Sequence, residues 1–279
     1  MTIRESIKKA EDKLNKAGIH DAPNDARELM SFVTGLDRTG LIMYTNSELE
    51  PLKAAEYEEL VDKRASRIPL QHITGEQEFM GYRFKVTKDV LSPRLETELL
   101  AREAAEHAIL GARILDLCTG SGIIGIALKK ICFASDVVMS DISDKALEVA
   151  AYNAKENKAD VKIIKSDMFE GLKDEKPFNM IVSNPPYIPS KAIEELEPEV
   201  KDHDPMLALS GGEDGLDFYR KIALEAPKHL LPKGELLMEI GYDQGDDVTK
   251  ILTESEAFEN IEIMKDLAGN DRVAYARLI

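Results

Sequence analysis

The stretch Ile114-Leu115-Asp116-Leu117-Cys118-Thr119-Gly120-Ser121-Gly122-Ile123-Ile124-Gly125 indicates the fold of the chain. It reads as an apolar strand that runs into a glycine-rich turn and then into a helix, and glycine lets a backbone approach a ligand closely. The spacing Gly120-x-Gly122-x-x-Gly125, followed later by Asp141, is that of a dinucleotide-binding loop and its ribose-binding acid. By itself this spacing fits a nicotinamide or flavin enzyme as well as an enzyme that uses S-adenosyl-L-methionine (SAM).

Strands and helices alternate on both sides of this stretch. Helical stretches separate the first five predicted strands, and another helix follows Gly241. Such an alternation predicts an α/β, Rossmann-like fold with a mostly parallel sheet, which binds ligands at the carboxyl ends of its strands. The predicted strands are Arg113–Leu117, Asp136–Ser140, Val161–Lys165, Phe178–Val182, Glu235–Ile240, Ile261–Met264 and Arg272–Leu278.

Acidic residues near the strand ends favour SAM over a dinucleotide. Asp116 lies in the strand before the loop, where a carboxylate would meet the cationic amino acid end of SAM and would repel phosphates. Asp167 and Met168 follow the third predicted strand, where an adenine ring would lie. Two simpler interpretations stay open: Asp116 as a strand-end acid, and Asp141 as the cap of the next helix.

A second motif, Asn184-Pro185-Pro186-Tyr187, follows the strand that contains Ile181 and Val182. Two prolines end a strand and hold backbone carbonyls in a stiff direction. The Asn184 side-chain oxygen and the Pro185 carbonyl are suited to accept two N–H bonds of a planar amide, with Tyr187 stacked on it. This arrangement would activate a weakly nucleophilic nitrogen by positioning. The simpler alternative is a proline loop that ends a core strand.

Composition limits the possible partners. The chain has 279 residues with a net charge of −16 and a pI near 4.9, which disfavours free nucleic acid because phosphates need lysine and arginine. The two cysteines, Cys118 and Cys132, form no disulfide framework, and the five histidines show no zinc-type spacing. No apolar run approaches the ~20 residues of a membrane span, and the first residues lack a signal-peptide core. We therefore expect a cytoplasmic protein without a structural metal. We separately expect a monomer.

The chain divides into three predicted segments. Residues 1–75 read as a helical domain for substrate recognition, with helices near Ile3–Leu14, at Ala26–Val33 capped by Asn24 or Asp25, and from Pro51 to Ala65. Residues 76–91 read as a β-hairpin linker that turns at Gly81. Residues 92–279 form the catalytic domain, whose first helix is predicted to begin at a Ser92 or Thr97 cap and to reach Leu110.

These motifs and others resemble the HemK/PrmC family of protein-(glutamine-N5) methyltransferases, which modify peptide chain release factors. The resemblance covers nearly the whole chain. Asn-Pro-Pro-Tyr is shared with DNA adenine and ribosomal RNA guanine methyltransferases, whereas two other blocks are more specific. These blocks are Pro93-Arg94-x-Glu96-Thr97-Glu98 and Gly211-Gly212-x-Asp214-Gly215-Leu216-Asp217.

The resemblance implies a helical N-terminal domain, a hairpin and a seven-stranded methyltransferase sheet whose last strand is antiparallel. It places SAM against residues 118–122, with Asp141 on the ribose hydroxyls and Met168 near the adenine. It places Asn184, Pro185, Pro186 and Tyr187 around the glutamine of a Gly-Gly-Gln motif. Cys118 stands where the family usually has glycine, and Met168 where some members have an aromatic residue.

The sequence therefore predicts methyl transfer from SAM to a glutamine side chain of a release factor. One alternative is a SAM-dependent amino-methyltransferase of adenine or guanine in nucleic acid, but no lysine-rich stripe or recognition domain supports it. A second is a nicotinamide-dependent oxidoreductase, which leaves residues 184–187 unexplained. A third is a noncatalytic cofactor-binding module, which the presence of both loops argues against.

Overall fold

The computed structural model of the chain describes residues 1–132 and 136–279, which form two compact units. We call them the helical unit, Met1–Gly75 with Glu197–His203, and the sheet unit, Glu76–Leu196 with Asp204–Ile279. The sequence did not indicate that the segment Glu197–His203 joins the helical unit. Within the described residues, no helix is both long and apolar enough to cross a lipid bilayer.

The helical unit is built around one apolar core that includes Leu14, Leu29 and Tyr57. A capping box of Thr2 and Glu5 begins its first helix, and left-handed Gly35 ends the second, as glycine commonly does. Its helices are α1 (Ile3–Lys16), α2 (Ala22–Thr34), α3 (Arg38–Met43), α4 (Pro51–Ala65), α5 (Leu70–Thr74) and, from the later segment, α9 (Pro198–Lys201).

The three predicted helices of this unit are confirmed, and α4 has the predicted bounds. The short helices α3 and α5 were missed because six and five residues give too little periodicity. The predicted cap at Asn24 or Asp25 was wrong. Asp21 precedes α2, and Asp25 lies inside the helix, where it is buried against Arg64.

The hairpin of the sheet unit consists of β1 (Glu76–Phe79) and β2 (Tyr82–Lys85). Its two turn residues, Met80 and Gly81, both have positive φ, as a two-residue turn of type I′ requires. Phe79 and Phe84 meet edge to face at 6.2 Å between ring centroids and are buried in the core of the sheet unit. The hairpin therefore packs as part of the sheet unit.

The described residues of the sheet unit form a seven-stranded sheet in the order β5-β4-β3-β6-β7-β9-β8. All neighbouring pairs are parallel except those that include β9, so the implied antiparallel last strand is confirmed. The strands are β3 (Arg113–Leu117), β4 (Asp136–Asp141), β5 (Lys162–Lys165), β6 (Phe178–Ser183), β7 (Leu230–Glu239), β8 (Phe258–Lys265) and β9 (Asp271–Leu278).

Helices connect the strands of this sheet, as predicted for a Rossmann-like fold. The predicted helix between β5 and β6 is only a single 3-10 turn, Glu170–Leu172. The helix before β3 begins at Thr97 without a side-chain cap and ends at His107, so the predicted Ser92 or Thr97 cap and the extension to Leu110 were wrong. The helices are α6 (Thr97–His107), α7 (Ile123–Ile131), α8 (Asp144–Glu156), α10 (Met206–Leu209), α11 (Asp217–Glu225) and α12 (Gly245–Glu254).

The strand order reverses at β3, with β4 on one side and β6 on the other. Leu117 pairs with Ser183, so these two parallel strands end side by side. The glycine loop begins directly after Leu117, and Asn184 directly follows Ser183. The two motifs therefore leave the sheet together at its topological switch point, where open α/β sheets bind ligands.

Candidate active site

The glycine loop joins β3 to α7 in a conformation that its glycines permit. Gly122 has φ of +84° and directly precedes α7. A Cβ on Gly125 would lie 2.7 Å from Met139 Cγ and 2.9 Å from Asp116 Oδ2. The first of these glycines supplies a left-handed turn, and the second lets α7 approach β4 closely.

Asp116 lies beneath this loop and is fully buried. Its Oδ2 accepts hydrogen bonds from Thr119 Oγ1 at 2.5 Å and from the Gly125 amide at 2.8 Å. Its Oδ1 is buried and has no hydrogen-bond partner among the described residues. Burial raises the pKa of this carboxyl to about 7. Asp116 thus links the beginning of the loop to α7, and it does not line the neighbouring cavity.

Cys118 and Met168 lie together on the wall of that cavity, with Cys118 Sγ 3.9 Å from Met168 Sδ. Both residues have positive φ, +61° and +48°. This left-handed region costs a residue with a Cβ about 1–2 kcal/mol, which gives a physical reason for glycine at the Cys118 position. Burial raises the pKa of the Cys118 thiol, so the thiol stays neutral at ordinary pH.

Asp141 ends β4 with both carboxylate oxygens hydrogen-bonded to backbone amides. Oδ2 accepts from Gly120 and Oδ1 from Ser143, each at 2.9 Å. Burial raises its pKa, although these hydrogen bonds act in the opposite direction. Ser143, through its own side chain, caps α8. Asp141 therefore fixes the glycine loop while remaining on the cavity wall.

The Asn184-Pro185-Pro186-Tyr187 loop is held by side chains at both ends. Asn184 Nδ2 donates to Thr97 Oγ1 at 3.4 Å. Tyr187 Oη donates to Glu239 Oε1 at 3.2 Å, and the Tyr187 carbonyl accepts from Gln244 Nε2 at 3.0 Å. Asn184 lines the cavity, whereas the Tyr187 hydroxyl is engaged with a buried carboxyl at the end of β7.

Glu239 is that buried carboxyl, with 2% of its surface exposed. Burial raises its pKa, while the Thr97 hydroxyl, the charge of Arg272 and the Tyr187 hydroxyl each lower it. Its Oε2 has no hydrogen-bond partner among the described residues. Tyr219 Oη donates to Gln244 Oε1 at 3.2 Å. Sequence interpretation missed the roles of Thr97 and Glu239, although Thr97 lies in the block Pro93-Arg94-x-Glu96-Thr97-Glu98.

One cavity of the sheet unit brings most of the predicted site residues together. Asp116, Gly122, Pro185 and Tyr187 are not among the described residues that line it. The predicted residues that do line it are Cys118, Thr119, Gly120, Ser121, Asp141, Asp167, Met168, Asn184 and Pro186.

A further part of the wall was not predicted as a site. Arg94 lines the cavity and forms an ion pair of 2.9 Å with Asp204, whose side chain is fully buried. Pro205, Leu207 and Ala208 follow directly and also line the cavity. The sequence signal for this wall was the family resemblance of the block that contains Arg94.

Comparison with known proteins assigns the chain to a family. Residues 5–75 match the PrmC N-terminal domain and residues 94–197 match the methyltransferase small domain. The chain is 40% identical to the release factor glutamine methyltransferase of Geobacter sulfurreducens, over 99% of this chain and 97% of that protein. It is 39% identical to the protein of the same name from Clostridium acetobutylicum, over 99% of this chain and 98% of that protein.

The chain belongs to the release factor glutamine methyltransferase family. Solved structures agree on the fold of the sheet unit. A Pyrococcus furiosus methyltransferase matches with a TM-score of 0.58 and 18% identity over 78% of this chain and 98% of that chain. The 16S rRNA N2 G1207 methyltransferase of T. thermophilus, solved with AdoMet and guanosine, matches with a TM-score of 0.54 and 19% identity. The match covers 73% of this chain and 50% of that chain. At these identities the similarity concerns the fold alone.

Proposed function

We propose that this protein transfers a methyl group from SAM to the side-chain N5 of the glutamine in the Gly-Gly-Gln motif of peptide chain release factors. The observation that carries the proposal is the pairing of Leu117 with Ser183, which brings the glycine loop and the Asn184 loop to one sheet edge. The names of the full-length relatives supply the substrate class. We place the reaction in the cytoplasm and assign it to a monomer.

The residues of the cavity fit SAM. Asp141 offers a carboxylate to the ribose hydroxyls, and Met168 offers a polarisable thioether to the adenine. Residues 118–121 present the backbone of the loop at the same wall, and exposed Asp167 lies beside Met168. When bound, SAM supplies a methyl group that its sulfonium already activates. Because Asp116 has no accessible oxygen, we assign it to holding the loop.

Asn184 and the residues after it provide the acceptor site. The Asn184 side-chain oxygen, on the cavity wall, accepts one N–H bond of the glutamine amide and helps to direct its lone pair toward the methyl group. The second N–H bond is assigned to the carbonyl of Pro185, the next residue of the loop, although Pro185 is not among the described residues that line the cavity. Such positioning by fixed dipoles replaces a strong general base. Pro186 forms part of the wall. Tyr187 is assigned mainly to holding the loop, because its hydroxyl binds Glu239.

The alternative acceptor is the amino group of adenine or guanine in nucleic acid. The structural similarity to an RNA methyltransferase concerns the fold and gives this acceptor no separate support. A net charge of −16 opposes binding to a phosphate backbone. A glutamine amide needs no such neutralisation.

Methyl transfer from radiolabelled SAM to a purified release factor tests the proposed function. The parallel sample is the same factor with Gly-Gly-Gln changed to Gly-Gly-Ala. We expect label on the first factor only. Label on neither factor, with label on ribosomal RNA or DNA, would support the nucleic-acid alternative and overturn the proposal.

Replacement of Asn184 by alanine tests the acceptor site. Asn184→Ala removes one of the two proposed acceptors of the glutamine amide. We expect kcat to fall about 100-fold, as is typical when one fixed dipole is lost, while the Kd for SAM changes less than about threefold. Calorimetric titration of SAM provides the second measurement. Equal losses of SAM binding and turnover would contradict the role of Asn184.

We propose that the helical unit docks the release factor through exposed apolar residues at the end of α3. Ile42 and Met43 are 75% and 72% exposed, and exposed apolar groups of this kind often mark protein contacts. In the full chain, Ile42→Asp with Met43→Asp should raise the KM for release factor about 10-fold. Leu224→Asp, at a 68% exposed position of the sheet unit, is the matched control. An unchanged KM in the double variant would contradict the docking role.

A further inference from the structure

The orientation of the Asn184 side chain decides what the acceptor site offers to a substrate. An asparagine amide presents either an oxygen that accepts or an NH₂ group that donates. A glutamine amide whose nitrogen is to be methylated needs acceptors for its N–H bonds. Asn184 Nδ2 donates to Thr97 Oγ1 at 3.4 Å, which leaves Oδ1 as the atom free for a ligand.

The environment of Thr97 makes this orientation the favoured one. Thr97 and Glu239 are each 2% exposed, so little water can compete for their hydrogen bonds. A carboxylate only accepts hydrogen bonds, and a hydroxyl has a single proton to donate. If Thr97 gives this proton to Glu239, its lone pairs can only accept, and Asn184 must then present its NH₂ group.

Two observations favour Glu239 as the group that takes the Thr97 proton. After burial, the Thr97 hydroxyl has the largest influence on the pKa of the Glu239 carboxyl, and it stabilises the charged form. Oε1 of this carboxyl already accepts from Tyr187 Oη, whereas Oε2 is buried with no hydrogen-bond partner among the described residues. The Thr97 hydroxyl is the neighbouring donor that can satisfy this oxygen.

Glu239 also holds the other end of the same loop. Its Oε1 accepts from Tyr187 Oη at 3.2 Å, and Gln244 holds the Tyr187 carbonyl at 3.0 Å. One carboxyl thus binds Tyr187 and is influenced by Thr97, which binds Asn184 three positions earlier in the loop. Glu239 lies at the end of β7, which pairs in parallel with β6.

We propose that Glu239 and Thr97 are positioning residues that fix Asn184 with its oxygen toward the acceptor amide. The chain of donors runs from Asn184 Nδ2 to Thr97 and from the Thr97 hydroxyl to Glu239. This inference rests on the proposed function, since it supplies the reason why an acceptor oxygen is required. Neither residue contacts the reacting atoms.

The test compares variants of the full chain with the wild type. Glu239→Gln lets the new NH₂ group donate to Thr97, which frees Thr97 to donate to Asn184 and reverses the amide. Thr97→Val removes the acceptor for Asn184 at nearly constant shape, whereas Thr97→Ser keeps the hydroxyl. Tyr219→Phe is the matched control, because it removes a buried hydroxyl of the same cluster that does not touch Thr97 or Asn184.

We expect Glu239→Gln and Thr97→Val to lower kcat about 100-fold, the usual consequence of a misplaced reacting group. The Kd for SAM should stay within about threefold, and Thr97→Ser and Tyr219→Phe should keep kcat within about threefold of the wild type. Wild-type kcat in Glu239→Gln, or an equal loss in Tyr219→Phe, would overturn the inference.

The outcomes also separate this inference from the proposed function. A wild-type protein that fails to label glutamine contradicts the proposed function. A wild-type protein that labels glutamine, with variants that keep full kcat, contradicts the positioning role alone. If Glu239→Gln does not fold, the contrast between Thr97→Val and Thr97→Ser decides the question by itself.

Discussion

The helical unit and the sheet unit each bury a cluster of polar side chains, and the two clusters are built from different partners. In the helical unit, Arg64 Nε donates to Asp25 at 2.6 Å, and a second Arg64 nitrogen donates to Glu199 at 2.9 Å. In the sheet unit, the buried carboxyl of Glu239 accepts a hydrogen bond from the Tyr187 hydroxyl, and the neighbouring Thr97 hydroxyl lowers its pKa. The first cluster pairs full charges, and the second pairs a carboxyl mainly with neutral donors.

The difference matches what each cluster does. Ion pairs between an arginine and two carboxylates fasten segments that are far apart in sequence, because a buried charge strongly requires its partner. Burial acts to raise the pKa of Glu199, but hydrogen bonds from Arg67 and Arg64 bring it below its usual value. A hydroxyl, by contrast, has a single proton, so once it donates to one partner it can only accept from another. The ionic cluster fixes a chain segment, and the hydroxyl cluster fixes the orientation of an amide.

The largest expected effect on stability is the removal of Arg64 from the ionic cluster. Arg64→Met leaves Asp25 and Glu199 without the guanidinium that both bind, so we expect the free energy of unfolding to fall by about 3–5 kcal/mol. Denaturant unfolding followed by circular dichroism measures the change.

The control for Arg64→Met lies next to it on α4. Lys63 binds Glu59 at 2.7 Å, but both side chains are exposed, so Lys63→Met should leave the unfolding midpoint unchanged. The double variant Arg64→Met, Asp25→Leu should recover part of the lost stability, because it removes one stranded charge. A single variant as stable as the wild type would show that the ion cluster does not hold the unit together.

The next prediction concerns the pH dependence of stability. It tests Asp116, a second acid that the sheet unit buries against neutral donors. Its pKa is raised to about 7 from a usual value of 3.8, so the folded chain binds the proton more tightly than the unfolded chain. The stability from this group is complete below about pH 4 and is lost as the pH rises through 7. Relative to Asp116→Asn, the wild type should lose about 3 kcal/mol between pH 5 and pH 8.

Urea unfolding of both proteins at a series of pH values measures this difference. The amide introduced by Asp116→Asn imitates the protonated acid, so other titrating groups cancel in the comparison. A difference in stability that stays constant from pH 5 to pH 8 would show that Asp116 titrates near its ordinary value.

The smallest expected effect comes from left-handed backbone conformations, of which each unit offers one for comparison. Gly35 in the helical unit and Cys118 in the sheet unit both have left-handed φ, +73° and +61°. Gly35→Ala should therefore lower stability by about 1 kcal/mol, whereas Cys118→Gly should be about 1 kcal/mol more stable than Cys118→Ala. Thermal unfolding of the variants shows whether alanine is less stable than glycine at both positions. Alanine more stable than glycine at position 118 would contradict strain at the loop entry.

Local patterns predicted much of the molecule. The bounds of β3 were predicted without error, and the approximate bounds of α4 were confirmed. Both predictions depend on neighbouring residues: an apolar run that ends in a glycine turn, and a helix that begins with proline. The glycine loop and Asn184 were correctly expected at one sheet edge, since parallel strands end on the same side. The family resemblance supplied the substrate class.

Properties that depend on distant residues could not be predicted. Asp25 has the sequence context of a helix cap, but Arg64, 39 residues later, makes it a buried ion partner. Tyr187 was expected to stack on the substrate, and only the position of Glu239 shows that its hydroxyl is already bound. Asp116 is buried because α7 packs against it, with the Gly125 amide bound to its carboxylate. In each case the partner is selected by folding rather than by spacing.

The place of Glu197–His203 in the helical unit has a consequence for synthesis on the ribosome. Domains generally fold in order as they emerge, the N-terminal one first. Here the ion pair of Arg64 with Glu199 cannot form until Glu199, 135 residues later in the chain, has been synthesised. Arg67 depends on the same late segment. We expect the nascent helical unit to stay less stable, and more open to proteases, until most of the sheet unit has been translated.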